Sequence, residues 1–203
     1  MVHAVLFDLD GVLVDACEGH YQALNTALME VGANAIERGD HEEVYNGLPT
    51  RDKLRMMVKR GLVKEQDIER IFKLKQDYTL EYIAKSIKPD KSKIEMVNKL
   101  KEMGVKIGCV TNCVQLTAEL MLRQAGLLHL MDVLVTNEIG SAKPSPVGYQ
   151  FAMRYLRALP EFTMIVEDSD VGFQAALASG AYKTIRVIDP KEVNWDRIKL
   201  DLN

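Results

Sequence analysis

Five short apolar runs, at residues 4–7, 105–110, 133–135, 164–166 and 184–188, are separated by long stretches with helical patterning. Strands that alternate with helices are joined by crossovers, and crossovers of this kind build a parallel sheet with helices packed on it. Gly104, Gly126 and Gly180 each follow a helical stretch just ahead of a strand or its approach, where helices commonly end on glycine. Ser145, after Lys143-Pro144, is placed to cap the helix that runs toward Leu156.

The rhythm breaks between about residue 16 and residue 88. That stretch contains no convincing strand and reads as successive amphipathic helices, one with Tyr21, Leu24, Leu28 and Val31 on a single face, a later one with Ile68, Ile71, Phe72 and Tyr78. Pro89 marks the return to the strand-and-helix pattern, because the residue before a proline is pushed away from helix. The expected fold is therefore α/β, a Rossmann-like parallel sheet core from residues 1–15 and 88–203 with an inserted α-helical cap domain at 16–87. A chain of 203 residues, 47% hydrophobic and 27% charged, is long enough to bury such a core.

Charge and composition narrow the function. A formal net charge of -3 provides no general basic field for nucleic acid or an anionic membrane, so any phosphate binding must come from local groups. The sequence has neither an apolar run long enough to cross a bilayer nor the pattern of a secretory signal, and the expected location is cytoplasmic. Cys17, Cys109 and Cys113 lack metal-ligand spacing and read as reduced thiols, with Cys113 close to a strand end. No exposed apolar stripe stands out, so a monomer or a weak homo-oligomer is expected.

The chemistry gathers at strand ends. Val5-Leu6-Phe7 leads into Asp8-Leu9-Asp10-Gly11-Val12, and alternate residues at a strand end project to one side, so two carboxylates meet where strand gives way to loop. Such a pair is a metal site, an acid/base pair, or both. Val110-Thr111-Asn112 follows the second core strand, Lys143-Pro144 precedes a helix, and Glu167-Asp168-Ser169 follows the fourth run. Taken singly, each has a structural reading as a turn, a loop or a helix cap. In a parallel sheet, however, these strand ends open on one edge, the edge where such folds bind ligands.

In this order, the motifs resemble those of the haloacid dehalogenase-like superfamily of phosphotransferases. Asp8-Leu9-Asp10-Gly11-Val12 is similar to its first motif, Thr111 to its second, Lys143 to its third and Glu167-Asp168 to its fourth. The helical insertion matches the cap of the subgroup that includes β-phosphoglucomutase and phosphoglycolate phosphatase. The resemblance implies that Asp8 is a nucleophile forming an aspartyl phosphate and that Asp10 is a general acid/base. It implies Mg²⁺ held by Asp8, the Asp10 backbone carbonyl and Asp168, with Glu167 bound directly or through water. It also implies that Lys143, the Thr111 hydroxyl and the Asn112 N–H stabilise the transferred group. Cation support is essential: a carboxylate approaching a phosphate dianion at ~4 Å is repelled by roughly 8 kcal/mol at an effective dielectric near 20. The dehalogenases of the superfamily lack the second aspartate, which disfavours a carbon–halogen substrate.

The cap is expected to carry specificity. Asn46-Gly47-Leu48-Pro49-Thr50-Arg51 resembles the cap loop that reaches into the site, where Arg51 either grips an anionic group or stands solvated at the start of the helix holding Leu54 and Met57. His20 sits where mutase relatives carry a histidine and otherwise serves as a structural hydrogen-bonding residue. Mutase-like members have a lysine before the loop glycine where this chain has Asn46. His3, His41 and His129 lack zinc-ligand spacing. The expected activity is thus phosphatase action on a small phosphorylated metabolite, with a phosphomutase as the alternative and a non-catalytic phosphate- or partner-binding protein as a third reading.

Overall fold

The computed structural model describes residues 2–139 and 141–202. Among these, the apolar runs form one parallel sheet in the order β3-β2-β1-β4-β5, with β1 Ala4–Phe7, β2 Lys106–Val110, β3 Val133–Val135, β4 Thr163–Glu167 and β5 Lys183–Arg186. β1 lies at the centre, pairing Phe7 with Cys109 on one side and with Val166 on the other. Every residue of β1 and β4 is buried, as expected for strands covered on both faces.

Alternation along the strands divides the core. Val5, Phe7, Ile107, Cys109, Met164 and Val166 face a layer that contains helices α5 (Lys91–Glu102), α6 (Gln115–Gln124) and α9 (Trp195–Ile198). Leu6, Val110 and Ile165 face α7 (Val147–Leu156) and α8 (Asp170–Ala178) through Tyr149, Ala152, Met153, Ala175 and Ala176. The result is three layers with the sheet in the middle, and Trp195 of α9 packs against the larger cluster.

Some boundaries shift for local reasons. β2 starts at Lys106 rather than at residue 105, because the Val105 N–H closes the preceding helix by donating to Leu100 O at 3.0 Å. β5 ends at Arg186 instead of 188: Ile188 is 90% exposed, and its N–H turns to Glu192 Oε1 as the next capped turn begins. Ser145 does accept the Val147 N–H at 3.4 Å, but Pro146 holds the N-cap position of α7 and makes no side-chain cap. Gly104, Gly126 and Gly180 do follow the ends of α5, α6 and α8, with φ of +78°, +75° and +85°.

Between β1 and α5 the described chain is helical, as expected. It comprises α1 (Cys17–Glu30), the single turn α2 (Arg38–Asp40) running into a π-helical turn at His41–Tyr45, α3 (Thr50–Lys59) and α4 (Ile68–Ser86). These helices bury their own cluster of Leu24, Leu28, Tyr45, Leu54, Met57 and Ile71. The expected apolar face of α4 needs correcting at Tyr78, which is only half-buried and donates its hydroxyl to Glu30. The stripe that is buried runs through Ile68, Ile71, Lys75, Thr79 and Ile83. No described helix is long and apolar enough to cross a membrane.

Candidate active site

The carboxyl ends of β1, β2 and β4 and the loop ahead of α7 open on one cavity of about 500 Å³, roofed by α1, α3 and α4. At the end of β1, Asp8 is fixed by its N–H, which donates to Val166 O at 3.0 Å. The chain then folds back tightly: Gly11, at φ +86°, donates to Val14 O at 2.8 Å. Only glycine fits there, since a Cβ would lie 2.3 Å from Asp168 Oδ2 and the conformation is strained for other residues. This turn presents Asp10, whose Oδ1 accepts the Ala16 N–H at 2.8 Å.

Lys143 links two of the acidic strand ends. Its ammonium lies 2.5 Å from Asp8 Oδ1 and 2.5 Å from Glu167 Oε1, with all three groups buried. Glu167, at the end of β4, also accepts the Tyr149 hydroxyl at 2.5 Å and the Asp168 N–H at 3.2 Å. Tyr149 was not singled out in the sequence, where it looks like an ordinary core aromatic of α7. Gly172 backs Glu167 closely: a Cβ on it would fall 2.1 Å from either carboxylate oxygen. Ser169 caps α8 by accepting the Gly172 N–H at 3.2 Å, which sets the direction in which the chain leaves Asp168.

Burial governs the protonation of these acids. It raises Asp8 to about 8, with Lys143 pulling the other way and Glu167 and Asp168 adding to the rise. Burial likewise lifts Asp10 to about 7 against its bond to Ala16, and lifts Asp168 to about 7 with Glu167 contributing. Lys143 is held above the usual lysine range by Asp8 and Glu167 despite its burial. Carboxylate oxygens of Asp8, Glu167 and Asp168 lie within 4.8 Å of one another, and Asp168 Oδ1 is buried with no hydrogen-bond partner among the described residues. A set of hard oxygen donors with one atom left unsatisfied fits a small divalent cation.

The phosphoryl-side candidates divide. Thr111 is buried at the end of β2, and its Oγ1 accepts the Cys113 N–H at 3.1 Å, which leaves the hydroxyl proton free to donate. Asn112 uses its side chain for structure: Nδ2 donates to Gly47 O at 2.8 Å and to Lys143 O at 3.3 Å, while Oδ1 accepts the Lys143 N–H at 2.9 Å. Gly47 lies close against the core, since a Cβ there would meet Val171 Cγ2 at 2.7 Å.

On the roof, His20 Nε2 lies 3.4 Å from Asp10 Oδ2 and 3.9 Å from Cys113 Sγ, and His20 Nδ1 is 3.1 Å from Lys75 Nζ. Burial and then Lys75 and Lys53 push His20 well below its ordinary value, so it is neutral and its Nδ1 accepts from the Lys75 ammonium. Arg51 lines the cavity with its charge already engaged: the guanidinium pairs with Glu69 and lies 4.1 Å over the Phe72 ring, and its side chain is 43% exposed. Lys53 and Lys75, both buried in the roof, were missed in the sequence. Their signal was register: Lys53 adjoins Leu54 on the buried face of α3, and Lys75 continues the stripe of Ile68 and Ile71.

A phosphorylated carbohydrates phosphatase of Thermotoga maritima is 26% identical over 188 residues, covering 92% of this chain and 86% of that relative. A pyrophosphatase, PpaX, of Bacillus mycoides is 28% identical over 169 residues, covering 83% of this chain and 75% of that one. The crystal structure of a β-phosphoglucomutase from Clostridium difficile superposes with a TM-score of 0.84 at 20% identity, covering 100% of this chain and 98% of that one. The family model for haloacid dehalogenase-like hydrolases matches residues 5–187, and the chain belongs to that family.

Proposed function

We propose that the protein is a Mg²⁺-dependent phosphatase that hydrolyses the monoester of a small phosphorylated metabolite through an aspartyl phosphate on Asp8. The observation that carries this reading is the convergence of Asp8, Asp10, Thr111, Lys143 and Asp168 on one cavity, with Glu167 behind Lys143. The phosphatase named for Thermotoga maritima supports the substrate class. The helices of residues 16–87 serve as a cap over a core made of 1–15 and 88–203.

An oxygen of Asp8 attacks phosphorus, and the bond to the ester oxygen breaks. Asp10, raised to about 7 and facing the cavity, gives its proton to the leaving alkoxide. Asp10 then takes a proton from the water that attacks the phosphorus of the aspartyl phosphate, which frees inorganic phosphate and restores Asp8. Lys143 offsets charge on Asp8 and on the transferred group, and the Thr111 hydroxyl donates to a phosphoryl oxygen. A Mg²⁺ bound by Asp8, Asp168, the Asp10 backbone carbonyl and Glu167, directly or through water, would neutralise charge on the phosphoryl oxygens.

The test is phosphate release from a panel of phosphorylated metabolites, with and without Mg²⁺, for the wild type and Asp8→Asn. Metal-dependent release that disappears in the variant is expected. Near wild-type release by Asp8→Asn would end the nucleophile assignment, and phosphoryl retained on a bisphosphate rather than released to water would redirect the reading to a phosphomutase.

A further inference from the structure

The cavity is polarised. Its floor carries Asp8, Asp10, Glu138 and Asp168, with Lys143 set among them, whereas the roof carries Arg51, Lys53, Arg55 and Lys75 against Asp52 alone. Two of the roof cations are already paired and exposed, Arg51 with Glu69 and Arg55 with Asp52. Lys53 and Lys75 differ. They are 8% and 7% exposed, and neither has a described carboxylate within 4.0 Å. Among the described residues the Lys75 ammonium has one hydrogen-bond partner, the neutral His20 ring, and the Lys53 ammonium has none, the Lys53 N–H donating to Pro49 O within the turn of α3. His41, which also lines the cavity and is buried, has an Nε2 without a partner among the described residues.

Buried ammonium groups without counter-charges are costly, and side by side they are costlier. Burial together with Lys75 pulls Lys53 down to about 8. Asp10 favours the charged form of both lysines only from beyond ion-pair distance, its own oxygens lying against the Ala16 N–H and His20. Folds keep such an arrangement where function needs it.

We propose that Lys53 and Lys75 form a second anion seat, so that the substrate is a phosphomonoester whose alcohol portion carries a second acidic group, a carboxylate or another phosphate. The inference rests on the phosphatase reading above and extends it to substrate class. The acidic floor repels a second anion, so the ligand lies with its reacting phosphate down and its other charge against the roof. Lysine suits the task, since each ammonium offers three donors with little directional demand. Arg51, held on Glu69 and Phe72, stands outside this seat.

The test compares matched substrates in the presence of Mg²⁺: 2-phosphoglycolate against ethyl phosphate for the carboxylate, and propane-1,3-diyl bisphosphate against propyl phosphate for the phosphate. The wild type is expected to prefer the doubly acidic member of at least one pair by kcat/KM, and the preferred pair identifies the acid. Lys53→Gln and Lys53→Met are expected to reduce that preference by roughly tenfold to a hundredfold, the range for a lost charge-assisted bond. Lack of preference in both pairs overturns the seat, and this is read on the wild type without any variant. An equal fall for both members of a pair overturns it too, assigning Lys53 to the electrostatics of Asp10. If no ester is hydrolysed, the phosphatase reading fails on its own, and calorimetric titration with phosphonoacetate and ethylphosphonate decides the seat. Preference for phosphonoacetate that Lys53→Gln abolishes supports it, and equal binding overturns it.

Discussion

Replacing Lys143 by methionine keeps the length of the side chain and removes the charge that lies 2.5 Å from both Asp8 and Glu167. Glu167 is fully buried, so the variant strands a carboxylate whose remaining donors are Tyr149 and the Asp168 N–H. Removing one partner of a buried ion pair costs about 3–5 kcal/mol. With a urea m-value of about 2–3 kcal/mol/M for a chain of this size, the unfolding midpoint of the metal-free protein should fall by about 1–2.5 M.

The loss should also depend on pH in a definite direction. Lys143 is raised above its unfolded value, so its own contribution is fully present below about 10.5 and does not change across an ordinary assay. Asp8 is raised from 3.8 to about 8, so between those values the folded protein keeps a proton that the unfolded chain has released, and stability declines as pH rises. In the wild type that decline stops near 8. Without Lys143, which pulls Asp8 down, it continues higher, and the gap between variant and wild type widens above about pH 8 by up to ~1.4 kcal/mol per unit. Urea titrations monitored by circular dichroism at several pH values measure both effects. A loss under about 1 kcal/mol at neutral pH, or a gap that narrows with pH, would refute the assignment of Lys143 as counter-charge to the pair.

Mg²⁺ at about a hundred times its dissociation constant should stabilise the wild type by ~2.7 kcal/mol, visible as a thermal shift reversed by chelator; Asp168→Asn should lose most of it, and an equal shift in that variant would remove Asp168 from the metal set. Because Asp10 acts as a protonated acid with a value of about 7, turnover of alkyl phosphates should fall as pH rises past that point. Turnover of an aryl phosphate with a good leaving group should fall less, and identical profiles for the two would contradict the assignment. Gly172→Ala places a methyl 2.1 Å from both Glu167 oxygens, so it should displace the carboxylate and lower the melting temperature by several degrees. An unchanged melting curve would mean that α8 moves freely relative to β4.

The sheet was legible because its strands are short, continuous and apolar, and the clusters at Asp8, Thr111 and Glu167 sit where an apolar run stops, while Lys143 stands just ahead of a helix. Asp8, Asp10, Thr111, Lys143, Glu167 and Asp168 could therefore be placed at one sheet edge before any coordinates. The cap was legible as helices but not as a surface. Arg51 looked like the residue reaching for the ligand, yet Glu69 lies 18 positions along the chain, and nothing local signals that the two will pair. Lys53 and Lys75 were overlooked because a lysine on a helix normally marks the wet face; only the position of each among apolar neighbours betrays that it is buried. Tyr149 was hidden for the opposite reason, since a buried aromatic in α7 announces packing and conceals the hydroxyl that supports Glu167.

Asn112 ties the loop of Gly47 to the loop of Lys143. One carboxamide holds the carbonyl of Gly47 in the roof and clasps both the N–H and the carbonyl of Lys143. Any displacement of Gly47 would cost the first of these bonds and loosen the amide that steadies the other two. The backbone that carries the Lys143 ammonium is in this way tied to the loop over the cavity. A link of this kind would couple the placement of the Lys143 ammonium to the enclosure of the cavity.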